Sequence, residues 1–361
     1  MRKKRILFGA VDIGYRIQHY SKFIKSNLND KLEVESFSKY VLPKEHYETE
    51  YTYSCPIDKT HPWLLYMYSF GFFIFSLFRY DIFHFLSGET ILTRKLRRFE
   101  FKMYKLFGKR IIMHFVGADI RSVPYLDWKS KHLYEYLKGE KGVPLTEKFQ
   151  DKLISDTRKY ADCIIVTSPD LLEIIPEAKF FPVLLDLEQI QVENEYKRHE
   201  EKITILFSPS SHRTKGSSFV HDVLERIIQK AGESVEVVIP GKKILHQNKY
   251  PLTRYNMLSE MQKAHIVVDQ MLIGWYGLKS VEALASGCEV ICYIDEKFKS
   301  YQFPESPIIS SDITTLEEDL LSLINKVYNK RIRSEKNLNW VKQYHTIEKN
   351  NRILLEAWDV I

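Results

Sequence analysis

Apolar residues fall along this chain in short dense runs: RILFGAV at 5–11, DIFHFL at 81–86, RIIMHFV at 110–116, DCIIVTS at 162–168, ITILFS at 203–208, VEVVIP at 235–240, HIVVDQ at 265–270 and EVICYI at 289–294. Most place their apolar residues at consecutive positions rather than alternating, the pattern of strands buried on both faces of a parallel sheet. Stretches with helical spacing, such as SSFVHDVLERIIQKAG at 217–232, separate most of them. Strand, helix and strand repeated through both halves predict an α/β protein of doubly wound domains. The polar stretch DLEQIQVENEYKRHEEK at 186–202 is dense in charge and poor in core residues. It predicts a division into 1–186, 187–335 and a final segment 336–361, with a helix over roughly 336–358 returning to the first domain. In open sheets of this kind ligands bind beyond the carboxyl ends of the strands, so two such domains would hold a site in the cleft between them.

Two segments depart from that pattern. WLLYMYSFGFFIFSLF at 63–78 runs for 16 residues without a charge, short of the roughly 20 needed to span a bilayer. A helix buried against a sheet and an interfacial helix both fit it, the second because Trp63, Tyr66, Tyr68 and five Phe are types found at membrane boundaries. The segment 91–110 carries eight Lys/Arg and one Glu, with Leu92, Leu96, Phe99, Met103 and Leu106/Phe107 at helical spacing. It predicts a basic amphipathic helix, either a plain solvated face or a surface for anionic lipid.

Composition changes the picture only where it can be located. The 361 residues hold 53 Lys/Arg against 47 Asp/Glu, a surplus of +6, with 44% hydrophobic and 28% charged residues, which excludes a disordered chain. Outside 91–110 the balance is 45 basic to 46 acidic, so the surplus belongs to one segment. No reader motif accompanies it, which sets nucleic-acid binding aside. Cys55, Cys163, Cys288 and Cys292 form no CxxC pair and no zinc-spaced cluster, as expected of free thiols in a reducing compartment. The start, MRKKRILFGAV, reads as a first strand rather than a signal peptide, so a cytoplasmic protein is expected.

Candidate chemistry lies just after the strands of the second half. PSSHRTKG at 209–216 feeds a helix beginning near Ser217, a turn of small residues with two cations, Arg213 and Lys215, at a helix N-terminus. Such a turn suits a diphosphate. MLIGWYGLKSVEALASGCEVICY at 271–293 places Gly274 and Gly277 before a helix starting near Leu278, with Glu282 one turn further on the same face. A carboxylate there can accept hydrogen bonds from the two hydroxyls of a ribose.

GWYGLKSVEALASGCEVI resembles the signature segment of GT-B glycosyltransferases of family 4. HRTKG is similar to the basic phosphate turn of the same domain, HFVGADIR at 114–121 to a loop of the first domain with a His and a Gly-x-Asp, and VTSPDLLEIIPEAKFFPVLLDLE at 166–188 to the lead into the interdomain linker. The resemblance implies two Rossmann-like domains facing across a cleft, with 1–186 binding the acceptor, 187–335 binding a nucleotide-sugar, and the C-terminal helix crossing back. It implies Glu282 on the ribose, Arg213 and Lys215 on the leaving diphosphate (His212 is an alternative for the Arg position), and Gly277 and Leu278 facing the donor. His114 is the candidate first-domain His near the donor sugar, with Asp119 and Arg121 on donor or acceptor and Gly14 and Tyr15 at the cleft. Gly274 stands where members usually carry an acidic residue, a contact that Asp269 or Gln270 could supply instead.

The activity so implied is retaining transfer of a sugar from a UDP- or GDP-sugar to a glycan or lipid-linked acceptor, in surface polysaccharide or glycolipid synthesis. No metal and no cofactor are expected. Peripheral contact through 63–78 and 91–110 would place the enzyme on the inner face of the cell membrane. The competing expectations are a GT-B sugar-nucleotide epimerase and a catalytically silent nucleotide-sugar-binding or scaffold protein.

Overall fold

The computed structural model describes residues 2–12, 14, 16–40, 51–57, 60–117, 119–121, 147–190, 202–209, 215–240, 254–330 and 335–361. The chain forms two compact units, one from Met1–Ser122, Leu145–Pro182 and Asn350–Ile361, the other chiefly from Val183–Lys349. It leaves the first unit at Pro182, four residues before the boundary expected at 186, and re-enters it at Asn350 rather than at 336.

Among the described residues the first unit is built on seven parallel strands: β1 (Lys4–Gly9), β2 (Leu32–Ser38), β3 (Tyr53–Ser54), β4 (Ile82–Leu86), β5 (Arg110–Phe115), β6 (Cys163–Val166) and β7 (Lys179–Phe180). Their order is β3-β2-β1-β4-β5-β6-β7, so the winding reverses between β1 and β4. The consecutive apolar positions of β4 and β5 do what the pattern predicts: every residue of β4, and all of β5 after Arg110, is buried. Around this sheet lie α1 (Arg16–Asn27), α2 (Pro62–Arg79), α3 (Arg97–Leu106) and α4 (Glu147–Tyr160).

Among its described residues the second unit has five parallel strands, β8 (Ile203–Phe207), β9 (Val235–Val238), β10 (Ile266–Val268), β11 (Glu289–Cys292) and β12 (Ile309–Ser310), in the order β12-β11-β10-β8-β9. Here the winding reverses between β8 and β10. The helices are α5 (Ser217–Ala231), α6 (Arg254–Lys263), α7 (Leu278–Ala285), α8 (Leu316–Lys330) and α9 (Glu335–Tyr344). α10 (Arg352–Ala357) returns to the first unit. Two doubly wound α/β units are the fold the apolar runs predict.

The single helix expected over 336–358 is instead two, α9 and α10. The break is fixed by His345, which is fully buried, donates from Nδ1 to the Val183 carbonyl (2.6 Å) and accepts the Leu185 N–H at its own carbonyl (2.8 Å). With Nδ1 donating, Nε2 accepts from the Tyr276 hydroxyl at 3.3 Å. Burial lowers the His345 pKa to about 4, so the ring is neutral at pH 7.

The basic segment is also corrected. The helix covers only Arg97–Leu106, and its buried side carries Arg97, Glu100, Phe101 and Tyr104; of the expected apolar stripe Leu92 is buried and Met103 half-buried, while Leu96, Phe99, Leu106 and Phe107 are exposed. The cause is a buried carboxylate. Glu100 accepts the N–H groups of Ile91 (3.0 Å) and Leu92 (2.9 Å) and the Tyr104 hydroxyl (2.9 Å), and Arg97 donates to the Gly88 carbonyl (2.9 Å). From the other side the buried Lys39 ammonium donates to the carbonyls of Thr90 (3.3 Å) and Leu92 (2.8 Å). The segment after β4 is thereby held on Glu100 and Lys39, and satisfying those backbone groups outweighs burying the stripe. Replacing Glu100 by Ala should cost on the order of 1–3 kcal/mol, because two buried N–H groups lose their acceptor. Urea unfolding should show this as a lower midpoint with an unchanged slope; an unchanged midpoint would contradict the role given to Glu100.

Candidate functional site

In the second unit the ends of β8 and β10 lie side by side where the winding reverses, the place at which open α/β sheets take ligands. Lys215 comes from the turn after β8 and Asp269 directly follows β10. Their ammonium and carboxylate form a buried ion pair, Nζ to Oδ1, and the second carboxylate oxygen, Oδ2, accepts the Ser280 hydroxyl at 2.7 Å. Burial alone would raise the Asp269 pKa. The ammonium groups of Lys215 and Lys279 and the hydrogen bonds from Lys215 and Ser280 overcome it, and the group stays below the ordinary carboxylate value.

Two helix N-termini converge on this cluster. Gly216, at φ +70°, precedes α5, and there a Cβ would meet the Leu272 side chain at 3.2 Å. Gly277 precedes α7 in extended conformation. Lys279 occupies the first turn of α7, where a cation opposes the helix dipole. Burial and repulsion from Lys215 lower its pKa to about 7, against the pull of Asp269 and Glu282. Glu282 is buried one turn beyond Leu278 on the same helix. Cations, first-turn N–H groups and a carboxylate one turn away can together hold an anion such as a diphosphate beside a group bearing paired hydroxyls.

Lys215, Asp269, Gly277, Leu278 and Glu282 are thus brought into one neighbourhood, while Arg213 and His212 lie outside the described residues. Gln270 lies there too, its Nε2 3.9 Å from where a Cβ at Gly277 would sit, and it donates to the Trp275 carbonyl and so closes the loop onto itself. Gly274 has φ +81°, and a Cβ there would come within 2.9 Å of the Asp295 Cβ. The backbone of this loop therefore excludes an acidic side chain at the position where the resembled segment carries one. Lys279 and Ser280 were not singled out from the sequence, although a Lys in the first turn of a predicted helix was a usable signal, since it opposes the dipole unless it serves an anion.

The first-unit candidates are engaged in their own unit. His114 is completely buried. Trp358, which can only donate, bonds His84 Nδ1 (3.1 Å), so His84 carries its proton on Nε2 and donates it to His114 Nδ1 (3.3 Å). Burial keeps both rings neutral, lowering the His84 pKa to about 3 and the His114 pKa well below its ordinary value. Asp119 accepts the N–H groups of Val116 (2.9 Å) and Gly117 (2.8 Å) and shapes the loop after β5. Arg121 makes a two-pronged pair with Asp170 (2.7 and 3.0 Å), with both side chains buried. Gly14, at φ +69°, lies in the turn after β1, where Asp12 accepts the Ile17 N–H at the start of α1 (3.2 Å). Tyr15 lies outside the described residues, as does the Tyr-rich segment 125–136. Among the described residues no group of three His, Cys, Asp or Glu is placed to hold a metal ion.

No protein-family model matches the sequence, and no curated protein matches it. Solved structures do. Sucrose-phosphate synthase from Thermosynechococcus elongatus superposes with a TM-score of 0.62 at 13% identity, over 99% of this chain and 98% of its own. HepE of Anabaena in complex with UDP and glucose gives 0.60 at 12% identity over the whole of both chains. A putative UDP-N-acetylglucosamine 2-epimerase from Listeria monocytogenes gives 0.54 at 12%, over 100% of this chain and 98% of its own. The fold is that of the GT-B glycosyltransferases, and at such identities the likeness extends to the fold alone.

Because Lys279 is close to half neutral at pH 7, an anion that binds beside it should draw a proton onto it. Titration calorimetry with inorganic pyrophosphate, run in two buffers of different ionisation enthalpy, should report proton uptake at and above pH 7 and an affinity that falls as pH rises through 7. The uptake should vanish in Lys279→Met; equal heats in both buffers for the unaltered protein would remove Lys279 from the site.

Proposed function

We propose that the protein is a retaining glycosyltransferase of the family-4 type. It moves a sugar from a UDP- or GDP-sugar to a glycan or lipid-linked acceptor in surface polysaccharide or glycolipid synthesis, as a peripheral protein on the inner face of the cell membrane. The observation that carries this reading is the Lys215–Asp269–Lys279 cluster between two helix N-termini at the reversal point of the second sheet. HepE, of the same fold, is solved with UDP and glucose, which favours a uridine nucleotide at the corresponding place.

Glycosyl transfer passes through an oxocarbenium-like state as the bond from the anomeric carbon to the diphosphate oxygen breaks. Negative charge grows on the departing diphosphate, and the acceptor hydroxyl oxygen forms its bond to the anomeric carbon on the same face of the sugar while its proton passes to the departing diphosphate oxygen. Lys215, Lys279, Arg213 and the first turns of α5 and α7 meet that charge, so the reading needs no metal ion. Asp269 keeps Lys215 charged and in place. Glu282 accepts the ribose hydroxyls. Gly277 and Leu278 bring backbone close to the donor.

An epimerase is the second reading, favoured by the Listeria structure of the same fold. Incubation with UDP-glucose, UDP-N-acetylglucosamine and GDP-mannose without acceptor separates the cases. A transferase releases free nucleotide slowly, and Lys215→Met lowers that release by about 10²–10³, the usual cost of losing one preorganised donor. A changed sugar with the nucleotide still attached would make the protein an epimerase; binding without turnover of any donor would make it a silent binding protein.

A further inference from the structure

The two sequence segments that departed from the sheet-and-helix pattern meet in the first unit. α2 buries one side, Leu65, Phe72, Phe73 and Leu77 among it, and turns outward a ridge that includes Trp63 (72% exposed) and Met67 (57% exposed). Beside that ridge runs the stretch Leu92–Leu96, which ends where the exposed stripe of α3 begins. Between them lies a groove of about 640 Å³, with Trp63, Tyr66, Met67 and Phe70 on one wall, Leu92 and Leu96 on the other, Gly71 in its lining and Lys95 on its rim. A Cβ built at Gly71 would meet nothing within 4 Å. A contiguous exposed apolar surface in a folded protein marks a place where a partner, a ligand or a membrane makes contact.

Its chemistry selects one occupant. The exposed Lys95, Arg98 and Lys102 stand along the segment 91–110, whose net charge of +7 accounts for the whole of the chain's surplus of +6. A second copy docked through this face by a twofold axis would set that charge against itself. An occupant must be apolar where it meets α2 and negative where it meets the cations. The groove also has a definite place in the fold. In a parallel α/β unit the start of α2 and the segment following β4 both lie at the carboxyl edge of the sheet, the edge where ligands bind.

We propose that this groove and its rim seat the protein on an anionic phospholipid bilayer, with a hydrocarbon chain lying between α2 and Leu92–Leu96. α2 then lies in the interfacial plane rather than across the membrane, and no described helix is long and apolar enough to cross. The cations hold phosphates at the carboxyl edge. The proposal rests on the membrane-associated reading above and deepens it by naming the lipid and the seat; the donor chemistry can fail without it failing.

Vesicle flotation tests it, with vesicles of phosphatidylcholine alone and of phosphatidylcholine with phosphatidylglycerol. The full-length protein should float with the anionic vesicles and stay down with the neutral ones. Lys95→Glu with Lys102→Glu should weaken flotation by at least fivefold per Lys, the usual value of one surface cation being about fivefold. Gly71→Leu, which fills the groove at an exposed helical position, should weaken it without altering charge. Lipids brominated on their chains should quench the Trp63 fluorescence, a signal absent from Trp63→Phe. Pyrophosphate binding and nucleotide release should be unchanged in all three variants, which separates this test from that of the donor site. Flotation equal in the wild type and the Gly71→Leu variant, or quenching that survives Trp63→Phe unchanged, would overturn the proposal. So would a lipid-free dimer that Gly71→Leu dissolves, since the groove would then belong to a second copy.

Discussion

The second unit depends on one buried ion pair. Taking an ammonium and a carboxylate out of water costs several kcal/mol for each, and their attraction offsets this only when the remaining polar positions are also satisfied. For Lys215 and Asp269 the Ser280 hydroxyl completes the carboxylate, and the three residues come from three places: the turn after β8, the end of β10 and the first turn of α7. The pair therefore ties together the starts of α5 and α7. Two helix dipoles and two ammonium groups are brought to one spot, held by a single carboxylate and balanced in part by Glu282. A fold that needed only stability would do as well with apolar residues there. Two ammonium groups gathered beside two helix N-termini make physical sense when an anion is the usual occupant.

A second buried carboxylate governs the first unit in a different way. Glu100 takes up the backbone N–H groups after β4, and in doing so it draws Arg97 and Glu100 of α3 inward and leaves Leu96, Phe99, Leu106 and Phe107 outward. Residues that a helical wheel assigns to the core end up beside the exposed ridge of α2. The outward apolar face is thus a consequence of backbone satisfaction, and the cations between its residues are what distinguishes it from a hidden core surface. The two carboxylates act at the carboxyl edges of their respective sheets, one gathering ammonium groups and helix N-termini and the other exposing an apolar face.

Much of this was legible in the amino-acid order, for identifiable reasons. Strands buried on both faces advertise themselves as unbroken apolar runs, and β1, β4, β5, β8, β10 and β11 were all visible that way. β2 was not, because LEVESFS alternates over its first residues with only every second one buried there. The two-residue strands β3, β7 and β12 carry no period at all. Glycine before a helix marked α5 and α7 correctly, and Lys215, Asp269 and Glu282 were named from the same turns. Hidden from the sequence were properties that depend on tertiary partners: the inward turn of Arg97 and Glu100, the closure of Gln270 onto Trp275, and the chain of donors from Trp358 through His84 that buries His114. Gly274 shows the limit of resemblance most clearly, since the backbone angle and the close approach of Asp295 explain why no acidic side chain stands there.

The central claim is that Lys215, held by Asp269 at the reversal point of the second sheet, is the seat of a nucleoside diphosphate. A crystal structure of the protein grown with UDP tests it most directly. The account places the diphosphate against Lys215 Nζ and the first-turn N–H groups of α7, with the ribose hydroxyls on Glu282. UDP bound elsewhere, with the Lys215–Asp269 pair untouched by phosphate, would contradict it.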